Sequence, residues 1–184
     1  MMHKISNQEL SRLSVDDFKV AVKMPLVVVL DSVRSSNNVG SVFRTSDALL
    51  VRKICLCGIT ATPPDREIHK TALGAENSVD WEYFKTTQEA VENLRTQGYT
   101  IIAIEQVEQS ISLHQYLPLP NEKLALIFGN EVKGVQQEVV NLCDKTIEIP
   151  QFGTKHSFNI AVSAGIVLWD LFNKLKITSN SEGS

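Results

Sequence analysis

Apolar residues follow two rhythms that alternate along most of this chain. Leu26 to Leu30 is an unbroken apolar, β-branched run of strand length, the pattern of a strand buried on both faces. The period then changes: Val39, Val42, Phe43, Leu49 and Leu50 recur at helical spacing and leave Arg44 and Asp47 on other faces. Ile54 to Gly58 reads as strand, Pro63-Pro64-Asp65 as loop, and the segment through Lys70 and Ala72 as a short helix. Val79 to Phe84 is strand-like, with Trp81 and Tyr83 alternating against Glu82. Thr86 to Gln97 predicts an amphipathic helix with Ala90, Val91 and Leu94 inward, stopped by Gly98. Tyr99 to Ile104 and Leu124 to Phe128 predict two more buried strands, Val135 to Leu142 a helix, and Thr146 to Ile149 a short strand closed by Pro150. In the last element Ala161, Ala164, Leu168, Leu171 and Leu175 form an apolar seam flanked by Val167 and Phe172.

Strands alternating with helices predict an α/β fold, a mainly parallel six-stranded sheet with helices on both faces. Its domain spans residues 25–176. Residues 1–24 precede it as a helical extension, in which Ser14 caps a turn carrying Asp16 and Asp17, and Phe18 and Val22 share a face. Residues 177–184 are Ser, Asn, Glu and Gly for the most part, and a disordered tail is expected there.

Composition narrows the function classes. With 43% hydrophobic and 21% charged residues the chain suits a soluble globular domain. Its apolar runs are too short to cross a bilayer, and Met1 to Asn7 lacks the apolar core of a secretory signal. Three cysteines without Cys-x-x-Cys spacing argue against a disulfide framework or a zinc ribbon, leaving the cytoplasm as the expected compartment. Cys55 and Cys57 alternate along a strand and are expected on one side of it as small core residues. A net charge of −3 excludes nucleic-acid binding by a global basic field. A local basic patch stays open, since Arg34, Arg44, Arg52, Lys53, Arg66, Lys70, Lys133 and Lys155 come from loops or helix starts.

Three polar islands fall at junctions of predicted strands and helices: Asn38 to Arg44, Gly129-Asn130-Glu131, and Ser157-Phe158-Asn159. In open α/β sheets ligands bind at the carboxyl ends of strands, so one composite site is expected. Nucleotide motifs do not fit it. No Gly-x-Gly-x-x-Gly is present, and Gly129 to Gly134 has a P-loop's outer glycines but is followed by Val135-Gln136, with no lysine to reach a phosphate. No His/Cys/Asp cluster has metal-ligand spacing, so no metal is expected.

The islands resemble the SpoU/TrmH family of RNA ribose methyltransferases, of the SPOUT class. Asn38-Val39-Gly40-Ser41-Val42-Phe43-Arg44 matches the family's Asn-x-Gly-x-x-x-Arg motif. The apolar strand running into Gly129-Asn130-Glu131-Val132-Lys133-Gly134 matches the second, and Ile149-Pro150 with Ser157-Phe158-Asn159-Ile160-Ala161 the third; Thr71-Ala72-Leu73-Gly74-Ala75 is also family-like. Phe158 stands where Leu is usual. The resemblance implies 2′-O-methylation of structured RNA, tRNA or rRNA, with S-adenosylmethionine as methyl donor. It also implies a deep C-terminal trefoil knot and a homodimer through the last helix. Residue by residue, it implies that Arg44 acts on the substrate phosphate and 2′-OH, that Asn38 and Ser157 hold Arg44 and the ribose, that Glu131 fixes the loops, and that Asn159 bridges this network to the cofactor. The cofactor would lie against Ile104, Glu105, Gly129, Ile149 and Phe158, with Gly129 and Gly153 letting the backbone approach it.

Plainer readings stand beside these. Asn38 and Ser157 could be helix N-caps, Arg44 a solvated helix residue, Glu131 a favourable charge at a helix N-terminus, and Phe158 a core residue. As wholes, the alternatives are a catalytically silent RNA-binding relative of the same fold and an unrelated flavodoxin-like binding module.

Overall fold

A computed structural model describes residues 3–5, 9, 10 and 12–181. The apolar runs are strands of one parallel sheet: β1 (Met24–Asp31), β2 (Val51–Cys57), β3 (Asp80–Phe84), β4 (Thr100–Ile104), β5 (Ile111–Ser112), β6 (Leu124–Phe128) and β7 (Lys145–Glu148). The sheet has seven strands rather than the six expected, in the order β3-β2-β1-β6-β4-β7-β5. The addition, β5, is two residues long, too short to show any period, and pairs only at the β7 edge.

Side-chain alternation assigns the two faces. Leu26, Val28 and Leu30 point into one core, Val27 and Val29 into the other. The first core is covered by α2 (Ser36–Ala48), α3 (Arg66–Ala72), α4 (Ala75–Ser78) and α7 (Ile160–Ser181). The second is covered by α5 (Thr87–Thr96) and α6 (Gln137–Val140), through Ala90, Val91, Leu94 and Val139. Cys55 and Cys57 both face this second core, where burial raises the Cys55 thiol to about 12.

Strand order positions the site. From β1 the chain steps outward through β2 to β3, crosses to β4, and only then inserts β6 between β1 and β4. The order therefore reverses at the β1–β6 pair, and a crevice opens at the carboxyl ends of these strands. Asp31 and Phe128, the last residues of β1 and β6, mark that point.

The flanking segments differ from expectation. Residues 6–8 and 11 of the predicted N-terminal helical region lie outside the described residues. One helix, α1 (Val15–Val20), follows the Ser14 cap and buries Phe18. Val22 does not share that face: Ala21 is already extended, so Val22 leaves the helix and is 92% exposed. At the other end α7 runs through Ser181 and not to a tail starting at 177. Adding residues to a helix anchored by packing is far easier than nucleating one, so polar composition alone does not end it. Residues 182–184 lie outside the description.

Candidate active site

Three segments remote in sequence meet at the crevice because each ends in backbone groups that require partners. The first is the start of α2, where Ser35 is the N-cap and its Oγ accepts from the Asn38 N–H at 3.3 Å. Asn38 is thus a first-turn residue and not the cap. Glu131, from the loop after β6, covers the same helix end. Its Oε2 accepts from the Arg34 N–H at 2.9 Å, and its Oε1 from the Ser35 N–H at 3.0 Å and Asn38 Nδ2 at 3.1 Å. A carboxylate at a helix N-terminus is favourable. Partial burial pushes the Glu131 carboxyl upward, but hydrogen bonds from three backbone N–H groups and Asn38 outweigh it and hold the group below its ordinary value.

The third segment is the start of α7. Asn159, not Ser157, caps it: Asn159 Oδ1 accepts from the Ala161 N–H at 2.9 Å. The same side chain donates through Nδ2 to Asn38 Oδ1 at 3.2 Å. Asn38 therefore sits between a helix cap and a carboxylate, and one chain of hydrogen bonds runs Asn159–Asn38–Glu131. All three polar islands supply a member.

A second layer of contacts fixes the loops. Asn130 donates through Nδ2 to the Ser32 carbonyl at 2.8 Å, tying the β6 loop to the β1 loop, and its Oδ1 accepts from the Val132 N–H at 2.9 Å. Buried Asp31 accepts from Thr87 Oγ1 at 2.7 Å, Gln136 Nε2 at 2.8 Å and the Gln136 N–H at 3.0 Å. Glu105 accepts from the N–H groups of Val135 and Gln106, both at 2.9 Å. Asn130, Asp31 and Gln136 were given no role from sequence. Asp31 alone carried a signal, a charge ending a wholly apolar run.

The glycines serve this folding of loop on loop. A Cβ on Gly129 would lie 2.0 Å from the Gly134 carbonyl carbon, so its bareness admits the chain's own backbone. At Gly153 a Cβ would meet no protein atom within 4 Å.

Beside the network lies a cavity of about 680 Å3. The five residues expected at the cofactor, Ile104, Glu105, Gly129, Ile149 and Phe158, all line it, together with Glu131, Ser157 and Asn159. Phe158 is 40% exposed at its rim and is no core residue. Asn38 does not line the cavity but reaches it through Asn159 and Glu131. Arg44 is not brought to the cluster: it stands six residues beyond Asn38 on α2, about 9 Å along the axis, exposed, and without a hydrogen-bond or ion-pair partner among the described residues. Chemically, the walls combine apolar side chains with main-chain groups and polar tips, suited to a flat ligand with polar edges. Among the described residues no three His, Cys, Asp or Glu side chains are placed to hold a metal ion, and no helix is long and apolar enough to cross a membrane.

Known proteins resemble this chain in sequence and fold. The chain is 31% identical over 144 residues, 78% of its length, to a 23S rRNA (guanosine-2′-O-)-methyltransferase of Neisseria meningitidis serogroup B. It is 28% identical over 157 residues, 84% of its length, to a tRNA (guanosine(18)-2′-O)-methyltransferase of Borreliella burgdorferi. It spans 56% of the first relative's length and 69% of the second's. The crystal structure of an AdoMet-bound rRNA methyltransferase from Sinorhizobium meliloti superposes with a TM-score of 0.75 at 27% identity, covering 82% of this chain and 56% of that one. The model of the SpoU rRNA Methylase family matches residues 25–169, almost the whole sheet and its helices, and the chain belongs to that family.

Proposed function

We propose that the chain transfers a methyl group from S-adenosylmethionine to a ribose 2′-OH of structured RNA, tRNA or rRNA, as a cytoplasmic homodimer. One observation carries the reading: the Asn159–Asn38–Glu131 chain stands at the rim of a cavity whose size, about 680 Å3, falls within the range of small-molecule sites. The lining suits the donor: Ile104, Ile149 and Phe158 would lie against the adenosine, and main-chain groups of the 129–135 loop would meet its polar edges. When bound, the donor would supply an electrophilic methyl on a sulfonium: a C–O bond would form as the C–S bond breaks, S-adenosylhomocysteine would leave, and the 2′-OH proton would pass to solvent.

The chain's own residues align and shield. The hydrogen-bonded network holds the N-termini of α2 and α7 at fixed separation, which keeps the 2′-oxygen in line. Ser157 Oγ, exposed at the cavity, takes a ribose hydroxyl. Arg44 engages the phosphate flanking the target ribose, and its freedom from internal partners among the described residues keeps it available to RNA. Three free cysteines suit a reducing compartment.

The dimer reading rests on α7. Val162 and Trp169 are 50% and 58% exposed on a helix whose Ala164, Val167, Leu168 and Leu171 are buried, and Trp169 stacks on Phe172 with ring centroids 6.0 Å apart. The knot reading rests on β6 being inserted between β1 and β4, which both precede it in the chain, with β7 beyond β4 and α7 packed back against α2.

The test is transfer of tritiated methyl to cellular RNA pools, with S-adenosylhomocysteine binding measured by calorimetry. Arg44→Ala is expected to abolish transfer and leave cofactor affinity nearly intact. Failure of the unaltered chain to bind S-adenosylhomocysteine would remove the reading, and loss of binding in the variant would move Arg44 into the cofactor site.

A further inference from the structure

A second cavity, also of about 680 Å3, opens where the loop before α3 faces the outer edge of the sheet. Its walls arise from simple constraints. Trp81 pairs with Ile54 in the parallel β2–β3 register and so projects to the α3 side of the sheet. Because β3 is the edge strand, nothing covers Trp81 fully and it stays 36% exposed. Pro63 and Pro64 add apolar surface, and Arg66, exposed at the start of α3, stands at the rim.

One polar group in this cavity has unused capacity. Glu76 Oε1 lies 2.5 Å from His69 Nδ1. Its Oε2 has no hydrogen-bond partner among the described residues, although the side chain is only 8% exposed. A buried carboxylate oxygen left without a donor is unfavourable, and a ligand that brings an N–H would satisfy it. An aromatic face, a buried acceptor and a cation at the rim together describe a nucleotide: a base to stack, an amino group to donate, a phosphate to neutralise.

We propose that this cavity takes an unstacked base of the RNA substrate, with the base on Trp81, its exocyclic amino group on Glu76 and its phosphate against Arg66. Guanine, adenine and cytosine carry such an amino group; uracil has none, and its single Watson–Crick-edge donor, N3–H, is flanked by carbonyl oxygens that the carboxylate repels. The inference rests on the RNA substrate reading above and adds a point of recognition to it. Placement supports this. The hydroxyl of Thr71, on α3, donates to the Asn37 carbonyl of α2 at 3.0 Å, next to Asn38. The helix carrying Arg66 and His69 is thus the immediate neighbour of the helix carrying Asn38 and Arg44, about 8–10 Å between axes, close enough for one RNA strand to engage both.

The experiment titrates the full chain with 5′-GMP, 5′-AMP, 5′-CMP and 5′-UMP, reading tryptophan fluorescence, with S-adenosylhomocysteine calorimetry in parallel. The three amino-bearing nucleotides are expected to quench, and 5′-UMP to bind about tenfold more weakly. Trp81→Leu should abolish the quenching. In E76Q, with the side-chain oxygen held by His69, an amide N–H2 faces the ligand, and the preference for amino-bearing bases should disappear. S-adenosylhomocysteine affinity should be unchanged in both variants, which also shows that they fold. Equal binding of all four nucleotides by the unaltered chain, quenching that survives Trp81→Leu, or an unchanged preference in E76Q would overturn this site while cofactor binding and methyl transfer persist. Absence of cofactor binding by the unaltered chain would overturn the methyltransferase reading instead.

Discussion

Glu131 is held by groups that all prefer it ionised, which makes its contribution pH-dependent in a definite direction. Its folded value lies below the ordinary 4.5, so the stabilisation is complete above that value and is lost as pH falls through the folded one. The melting temperature of the unaltered chain should exceed that of Glu131→Gln at pH 7, and the gap should close on acidification below about 4.5; a gap that widened in acid would show the carboxyl raised instead. Asn159 separates two duties. Asn159→Ala removes the α7 cap and leaves Asn38 Oδ1 unpaired, which should cost about 0.5–2 kcal/mol in denaturant unfolding. Asn159→Asp retains an acceptor for the Ala161 N–H but has no donor for Asn38, so it should recover most of that stability and still transfer methyl slowly. Equal activity in Asn159→Asp and the unaltered chain would reduce Asn159 to a cap. Asn38, Glu131 and Asn159 were legible because uncharged amides and a lone acid interrupt apolar runs. Their pairing was not, because the bonds span 93 and 121 residues, and residue spacing says nothing about which amide end faces which.

At the scale of elements, strands were readable where two buried faces force a continuous apolar run, and β5 was not because two residues have no rhythm. Helix ends were the weakest point. The sequence pattern starts the second helix at Val39, where apolar periodicity begins, whereas the structure starts it at Ser36 under a Ser35 cap. Gly40 shows why an apolar pattern does not reveal helix contacts. A Cβ there would lie 2.1 Å from Thr71 Oγ1 and 2.3 Å from the Ile68 carbonyl oxygen. The glycine therefore permits α3 to lie on α2, and no property of the residue in isolation announces it. Gly40→Ala should force the two helices apart and destabilise the fold by about 1–3 kcal/mol, whereas Gly153→Ala, with open space around it, should leave stability within about 0.5 kcal/mol. Urea unfolding of the pair decides the matter; equal effects would mean that α3 yields without loss.

For the whole molecule, six of the sheet's seven strands and its two cores were predictable, since each face must be covered by a helix whose period shows in the sequence. What lies beyond one chain is written on α7. Leu168 and Leu171 are fully buried against the sheet, while Trp169 between them is 58% exposed. A helix with a large aromatic on its outer side presents apolar surface that a second copy can cover. In a two-fold dimer each substitution is counted twice, once per protomer. If the proposed dimer forms through α7, Trp169→Asp should therefore remove apolar contact and bring two like charges together, giving monomers in sedimentation velocity where the unaltered chain sediments as a dimer. Asp at this position faces away from both cores, so the thermal transition of the monomer should remain cooperative and S-adenosylhomocysteine should still bind to each chain. Methyl transfer is the informative readout. If RNA must touch basic groups of two chains to overcome the net charge of −3, the variant should lose RNA affinity and turnover together while keeping the cofactor. A Trp169→Asp chain that stays dimeric would place the interface elsewhere, and a monomeric variant with full turnover would show that one chain carries the whole RNA-binding surface.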